Sequence, residues 1–230
     1  MKIKNIIAAL LIGASLYSCD YLDIVPDDTP VLSDAFKNEQ TAENFVFACY
    51  SFIPNYLHYR ENLTWCTTPE VVGSSHWTTT YFTFLRMQQA LYNSSDPVID
   101  IWQSSYNGIR QCYTFLENID MVKPSQISPS ELEDKKTTWK AEVKFLIAYY
   151  HYLLLQNYGP IVILEKSIDL NAPKEELFRP RIPYDECVEK IAGMFDAAAQ
   201  NLPTTVKASN YGRATGFKSQ NVSLCCKSSI

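Results

Sequence analysis

Four stretches of the chain return apolar side chains every third or fourth position, the spacing of one face of an α-helix. In the first, Phe45, Ala48, Cys49, Phe52 and Ile53 follow Thr41, a candidate N-cap, and the pattern stops at Pro54 or shortly beyond. In the second, which Pro97 is expected to open, Ile101, Trp102, Ser105, Ile109, Cys112, Phe115, Leu116 and Ile119 share a face. The third begins with a cap serine, Ser128, then Pro129 at the first helical position and Glu131 at the third. It is predicted to run to about Tyr158, where Gly159-Pro160 ends it. In the fourth, opened by Pro183, Tyr184, Val188, Ile191, Phe195, Ala198 and Leu202 follow one another at four- and three-residue steps up to Pro203. Only Ile161 to Leu164 looks like a strand. The expected fold is therefore all-α, built of stacked helix pairs of the tetratricopeptide kind, although no clean repeat at the period of about 34 residues is visible.

Two regions break the helical pattern. From about Leu57 to Asp96 the period is lost among Thr64, Thr67, Thr68, Pro69, Gly73, Ser74, Ser75 and Thr78-Thr79-Thr80, with a short helix expected around Phe84 to Leu91. Trp65, Trp77, Tyr81 and Phe82 sit in this polar surround. Sugar rings present flat C–H faces that stack on aromatic rings, and their hydroxyls need polar side chains alongside. Trp77 and Tyr81 are therefore candidate platforms, Trp65 a second one, and His76 and Arg86 candidate hydroxyl partners. The other use of such aromatics is to pack the loop onto the helices, and both uses stay open. Tyr149, Tyr150, His151 and Tyr152 lie inside the third helix and read as scaffold, and Trp102 and Trp139 read as core.

The second region is the start. Lys2 and Lys4 precede an apolar run from Ile6 to Leu16, and Leu16-Tyr17-Ser18-Cys19 follows. The run is about half of the roughly 20 residues that a spanning helix needs, so residues 1–18 read as a secretory leader. It ends in what looks like a lipobox, in which the Cys19 thiol takes a diacylglyceryl group and the new N-terminus an acyl chain such as palmitate. More than one chain gives stable anchoring. Residues 19–40, opening with Asp20-Tyr21-Leu22-Asp23-Ile24-Val25-Pro26-Asp27-Asp28, read as an acidic tether.

Composition narrows the function. The chain has 230 residues, 47% of them hydrophobic and 20% charged, which suits a packed domain. Its net charge of −5 argues against binding nucleic acid by phosphate neutralisation. Aromatics make up 13%, including 15 Tyr and 4 Trp, more than a helical core needs. Cys49, Cys66, Cys112, Cys187 and Cys225-Cys226 form no metal-like spacing with His58, His76 or His151, so no metal site or cofactor is expected. Cys49, Cys112 and Cys187 fall among apolar residues and read as buried free thiols, with a disulfide left open. No G-x-S-x-G, H-E-x-x-H, P-loop or G-x-G-x-x-G motif is present. Glu70 and Asp96 are the carboxylates near the aromatics, and a solvated surface role is the expected one for both.

Four blocks carry a family resemblance. KAEVKFLIAYYHYLLLQNYGPIVIL, Lys140 to Leu164, resembles the signature helix of SusD/RagB-type nutrient-binding lipoproteins, with Ile147 and Ile161 standing where that family often has arginine and proline. CDYLDIVPDD and IWQSSYNGIRQCYTFLENID precede it, and RIPYDECVEKIAGMFDAAAQNLP with YGRAT follows, in the family's order from Cys19 to Thr215. The resemblance implies a non-enzymatic lipoprotein of Bacteroidetes-type cells at the outer face of the outer membrane. It would capture glycan or similar nutrients over a TonB-dependent transporter of the SusC kind, with residues 41–215 as the helical domain. The other classes weighed are a tetratricopeptide-like adaptor that grips a protein, a helical glycosidase, and a truncated copy without binding activity.

Residues 216–230, GFKSQNVSLCCKSSI, show no helical period, whereas the family has an alanine-rich helix there. Reverse translation of Phe217 to Ile230, read one base later, admits L-K-A-K-T-F-L-Y-A-A-S-P-L. The expectation is therefore a frameshift just after Thr215, and a scaffold left incomplete at that end.

Overall fold

The computed structural model describes residues 32–55, 74, 76–77, 84–98, 100–169 and 171–228. Met1–Ala35 and Phe36–Ile230 form separate compact units. Of the first, the described part is 32–35, the opening of a 3-10 turn that spans Leu32–Phe36. The leader, the lipobox and Cys19 lie outside the described residues.

The second unit is helical, and no strand occurs among the described residues. Its helices are α1 (Glu39–Tyr50), α2 (Phe84–Gln88), α3 (Trp102–Asn118), α4 (Pro129–Tyr158), α5 (Lys174–Leu177), α6 (Tyr184–Ala199) and α7 (Gly216–Lys227). α1 packs on α3 and α4, α3 on α4, α4 on α6, and α6 on α7. This chain of neighbours is the stacked-pair arrangement that the sequence predicts. α4 sits in its middle, and so its buried residues go round the helix: Phe145, Leu146, Ile147 and Ala148 are buried in succession, as are Leu153, Leu154 and Leu155.

Local signals set several ends. Ser128 accepts from the Glu131 N–H at 3.2 Å with Pro129 in the first turn. Gly159 ends α4 at φ 68°, a left-handed value that favours glycine. α6 starts after Pro183, as expected. Other ends differ from the sequence reading. α1 is capped by Asn38, not Thr41. Asn38 Oδ1 accepts from the Thr41 N–H at 3.0 Å and Thr41 Oγ1 accepts from the Asn38 N–H at 3.3 Å, a reciprocal capping box. Its buried stripe is Ala42, Val46 and Cys49, and the helix stops at Tyr50. α3 opens at Trp102, not at Pro97: the Tyr158 hydroxyl accepts from the N–H groups of Ile101 (2.9 Å) and Trp102 (3.1 Å), and so supplies the cap from α4. Trp102 is half-buried rather than core, with the Arg181 guanidinium 4.9 Å from its ring centre.

Residues 216–227 form a helix where no helical period was read. Thr215 caps α7, and its buried positions are Gly216, Ser219, Ser223 and Cys226, three, four and three apart. These small residues let α7 approach α6. Ser219 and Ser223 Oγ donate to the carbonyls of Phe195 (2.6 Å) and Ala192 (3.3 Å). A Cβ at Gly216 would sit 3.3 Å from the Ala199 oxygen. Phe217 and Leu224 face outward, 69% and 64% exposed.

The strand-like Ile161 to Leu164 is extended but pairs with side chains rather than with another strand. Tyr106 and Tyr113 of α3 donate to the carbonyls of Val162 (2.8 Å) and Leu164 (2.9 Å). Burial pushes both phenols up to about 12, so they remain donors across the neutral range. The Leu164 N–H donates to Nε2 of His151 at 3.1 Å. His151 must then carry its proton on Nδ1, which donates to the Ile147 carbonyl at 2.8 Å. Fully buried, its imidazole is pushed down to about 4, burial outweighing the bond to Ile147.

That shift has a sign. Above the ordinary value of 6.5 both folded and unfolded chains hold neutral His151, and nothing changes with pH. As pH falls from 6.5 towards 4 the unfolded chain takes up the proton first, so stability is lost across that window, by about 3 kcal/mol from this group. Urea unfolding of the wild type is expected to show this extra loss between pH 7 and about 4.5 relative to His151→Leu. Parallel curves for the two proteins would refute it.

Candidate functional site

The long segment between α1 and α3 leaves the scaffold at Tyr50 and rejoins it at Trp102, and both ends are held by tyrosines of α4. The Tyr150 hydroxyl donates to the Cys49 carbonyl at 2.5 Å, and Tyr158 caps α3 as described. The Tyr150 ring also fixes how closely α3 and α4 approach. A Cβ at Gly108 would meet its Cε2 at 2.8 Å, so only glycine fits there.

Of the ligand candidates on that segment, Trp65 and Tyr81 lie outside the described residues, as does Glu70. His76 and Trp77 are exposed in a turn around Ser74, whose Oγ accepts from the His76 N–H at 3.3 Å and whose carbonyl accepts from the Trp77 N–H at 2.9 Å. The Trp77 residue is 43% exposed. Arg86 on α2 is engaged within its own loop. Nε donates to the Leu91 carbonyl (3.1 Å), and Nη2 to the carbonyl (3.3 Å) and carboxylate (2.5 Å) of Asp96. It braces the turn that carries the Asn93–Asp96 bridge. The structure thus presents His76 and Trp77 side by side in one turn and gives Arg86 and Asp96 to each other.

A second constellation was missed by the sequence reading. Arg213, of the YGRAT block, is buried against Glu142, of the signature helix. Its Nε is 3.1 and 3.0 Å from the two carboxylate oxygens, and Nη1 is 2.5 Å from Glu43 of α1. The Tyr50 hydroxyl donates to Glu142 (3.0 Å) and accepts from the Ala214 N–H (2.9 Å). The guanidinium carbon lies 5.2 Å from the Phe47 ring centre. Burial opposes the charge on Arg213, but its bonds to Glu142 and Glu43 win and push the guanidinium above its usual value. Burial raises Glu142, against the pull of Arg213 and Tyr50. The signal was present in the sequence as a glutamate in one family block and an arginine in another, but their meeting was invisible there.

An open cleft of about 590 Å³ lies over this network, walled by Glu131, Asp134, Lys135, Lys207 and Asn210. It has little to offer a sugar ring. Its tryptophan, Trp139, is only 3% exposed, and Arg213 is already bonded to both Glu43 and Glu142. Among the described residues no group of three or more His, Cys, Asp or Glu is placed to hold a metal.

The model of a SusD-like family, described as starch-binding and associating with the outer membrane, matches residues 20–217. No curated protein matches the chain. A solved structure titled BT4246 is similar at 30% identity and TM-score 0.70, over 83% of this chain and 31% of that one. A SusD-like protein from Bacteroides fragilis, BF3747, is similar at 24% identity and TM-score 0.66, over 84% of this chain and 36% of that one. A laminarin-binding SusD-like protein shares the fold at 19% identity and TM-score 0.62, over 81% of this chain and 39% of that one. The chain spans about a third of the length of these solved relatives.

The buried pair yields a stability test. Arg213→Met leaves Glu142 buried without its cation and is expected to cost about 3–5 kcal/mol in urea unfolding, whereas Arg213→Met with Glu142→Leu recovers most of that loss. Additive losses in the double variant would contradict the coupling.

Proposed function

Because the chain belongs to the SusD-like family of starch-binding proteins that associate with the outer membrane, we propose that it captures oligosaccharides at the cell surface. In this reading it is anchored through an acylated Cys19 and hands its ligand to a TonB-dependent transporter of the SusC kind. Binding, not bond breaking, is its work. The observation that carries the reading is Trp77 itself, a surface residue next to His76 in a stretch rich in serine and threonine. An indole face stacks on the C–H face of a pyranose, while imidazole and hydroxyls meet the sugar's hydroxyls. The relatives point to the same ligand class: one is named as laminarin-binding and a further one was solved with laminarihexaose. Trp65, Tyr81 and Arg86 remain proposed partners of Trp77.

The scaffold suits this task. α1 and α3 both pack on α4, so the two ends of the segment between them are held by one helix.

Calorimetry against a panel of soluble polysaccharides that includes starch and laminarin is expected to find a ligand. Trp77→Ala should weaken it about tenfold, close to 1.4 kcal/mol, with the melting temperature unchanged. Failure of every polysaccharide to bind, or equal affinity of the variant, would overturn the reading, and the first result would favour the adaptor.

Anchorage is tested apart from binding. Growth with an alkynyl fatty acid should label the wild type and leave Cys19→Ser unlabelled and released from the membrane fraction. An unlabelled wild type would refute the lipid anchor.

A further inference from the structure

One aromatic on the segment between α1 and α3 was missed by the sequence reading. Tyr92 follows α2, and with Leu91 it makes an adjacent apolar pair, each residue 52% exposed. The backbone beneath the pair is closely bonded. The Leu91 N–H donates to the Arg86 carbonyl (2.8 Å) and the Ala90 N–H to the Met87 carbonyl (3.2 Å), the two bonds of a Schellman ending. Such an ending requires a left-handed residue, and here it is Ala90, at φ 53°, where glycine is the ordinary choice. The Arg86 side chain closes the turn through the Leu91 carbonyl and Asp96. Beyond Tyr92, Asn93 Oδ1 accepts from the N–H groups of Ser95 (2.9 Å) and Asp96 (3.0 Å), and the backbones of Asn93 and Asp96 exchange bonds of 3.2 Å. Leu85, 3% exposed, is the buried residue of α2.

This order leaves the apolar pair in water. The backbone of the turn is bonded locally and would be so with small polar side chains at 91 and 92. Residue 90 holds a conformation that alanine adopts only at a cost, and strain of that kind collects where a segment has a task beyond folding. The Tyr92 hydroxyl has no hydrogen-bond partner among the described residues.

We propose that Tyr92, with Leu91 beside it, is a second stacking platform for an uncharged oligosaccharide, on the same segment as Trp77. The inference rests on the oligosaccharide reading above and names a further contact residue for it. A phenol ring takes the C–H face of a pyranose, and its hydroxyl meets a sugar hydroxyl. Asn93, Ser94 and Ser95 are exposed alongside and supply neutral hydrogen-bonding groups. The charged groups of the turn, Arg86 and Asp96, are paired with each other. The turn therefore has no cation to give a uronate or a sulfate, and the chain it suits is a neutral one.

The test is calorimetric titration of the full chain with soluble starch, laminarin and polygalacturonate, the last being the charged probe. Tyr92→Ala is expected to weaken the glucan that the wild type binds about fivefold, and Tyr92→Phe, which keeps the ring, to stay within about twofold. Both variants should melt at the wild-type temperature, because the side chain lies at the surface. Polygalacturonate should bind more weakly than the glucan. Equal affinity of Tyr92→Ala and a wild type that binds would overturn this inference and leave the reading through Trp77 standing. A wild type that binds none of the three would overturn the inference at its premise. A loss in Tyr92→Ala accompanied by a lower melting temperature would assign Tyr92 to the fold and not to the ligand, and polygalacturonate bound as tightly as the glucan would overturn the neutral class.

Discussion

The ion pair between Arg213 and Glu142 is the constraint around which the helices are arranged. It lies out of water, with the Arg213 side chain 9% and the Glu142 side chain 3% exposed, so neither charge is tolerable without the other. Through Glu43, Tyr50 and the Ala214 N–H the same node reaches α1, α4 and the chain that follows α6. These three parts are far apart in sequence, and each contributes groups that stay unsatisfied until the others arrive. Folding of the N-terminal helix is thereby tied to the placing of the last one.

Much of the scaffold was legible in the sequence where its cause is local. Ser128, Pro129 and Glu131 start α4, and Gly159 ends it, through bonds and backbone angles within a few residues. The heptad-like apolar stripes of α3 and α6 were legible because large side chains line their buried faces. Where the cause is distant, the sequence misled. Pro97 has the right form for a helix start, yet α3 begins where Tyr158, 56 residues beyond Trp102, supplies an acceptor. α7 was missed because its buried face is Gly, Ser, Ser and Cys, which carries no hydrophobic signal. The candidate site divides in the same way. Exposure of Trp77 and His76 follows from their polar neighbours, whereas the engagement of Arg86 depends on a chain reversal that brings Asp96 back to it.

Side-chain hydroxyls and one imidazole take over what a neighbouring strand does elsewhere. Tyr106, Tyr113 and His151 satisfy the backbone of residues 162–164 without a sheet. On the opposite ends of the same half of α4, Tyr150 and Tyr158 hold the exit and the return of the segment that bears Trp77. The signature helix therefore acts on the proposed ligand site through the two ends of its segment. Its aromatic residues are positioning groups whose tips, not only whose rings, are used, which gives a physical reason for so many tyrosines in a helical protein.

α7 turns the usual arrangement of a helix inside out, with slender residues against its neighbour and Phe217 and Leu224 towards water. A seam of that kind tolerates almost no enlargement: a branched or longer side chain at 219 or 223 would wedge the helix away from α6 and break the serine bonds to its carbonyls. The outward ring and leucine, two turns apart, remain free to vary without loosening the seam. Whatever bulk this end of the molecule acquires must be added on its far side.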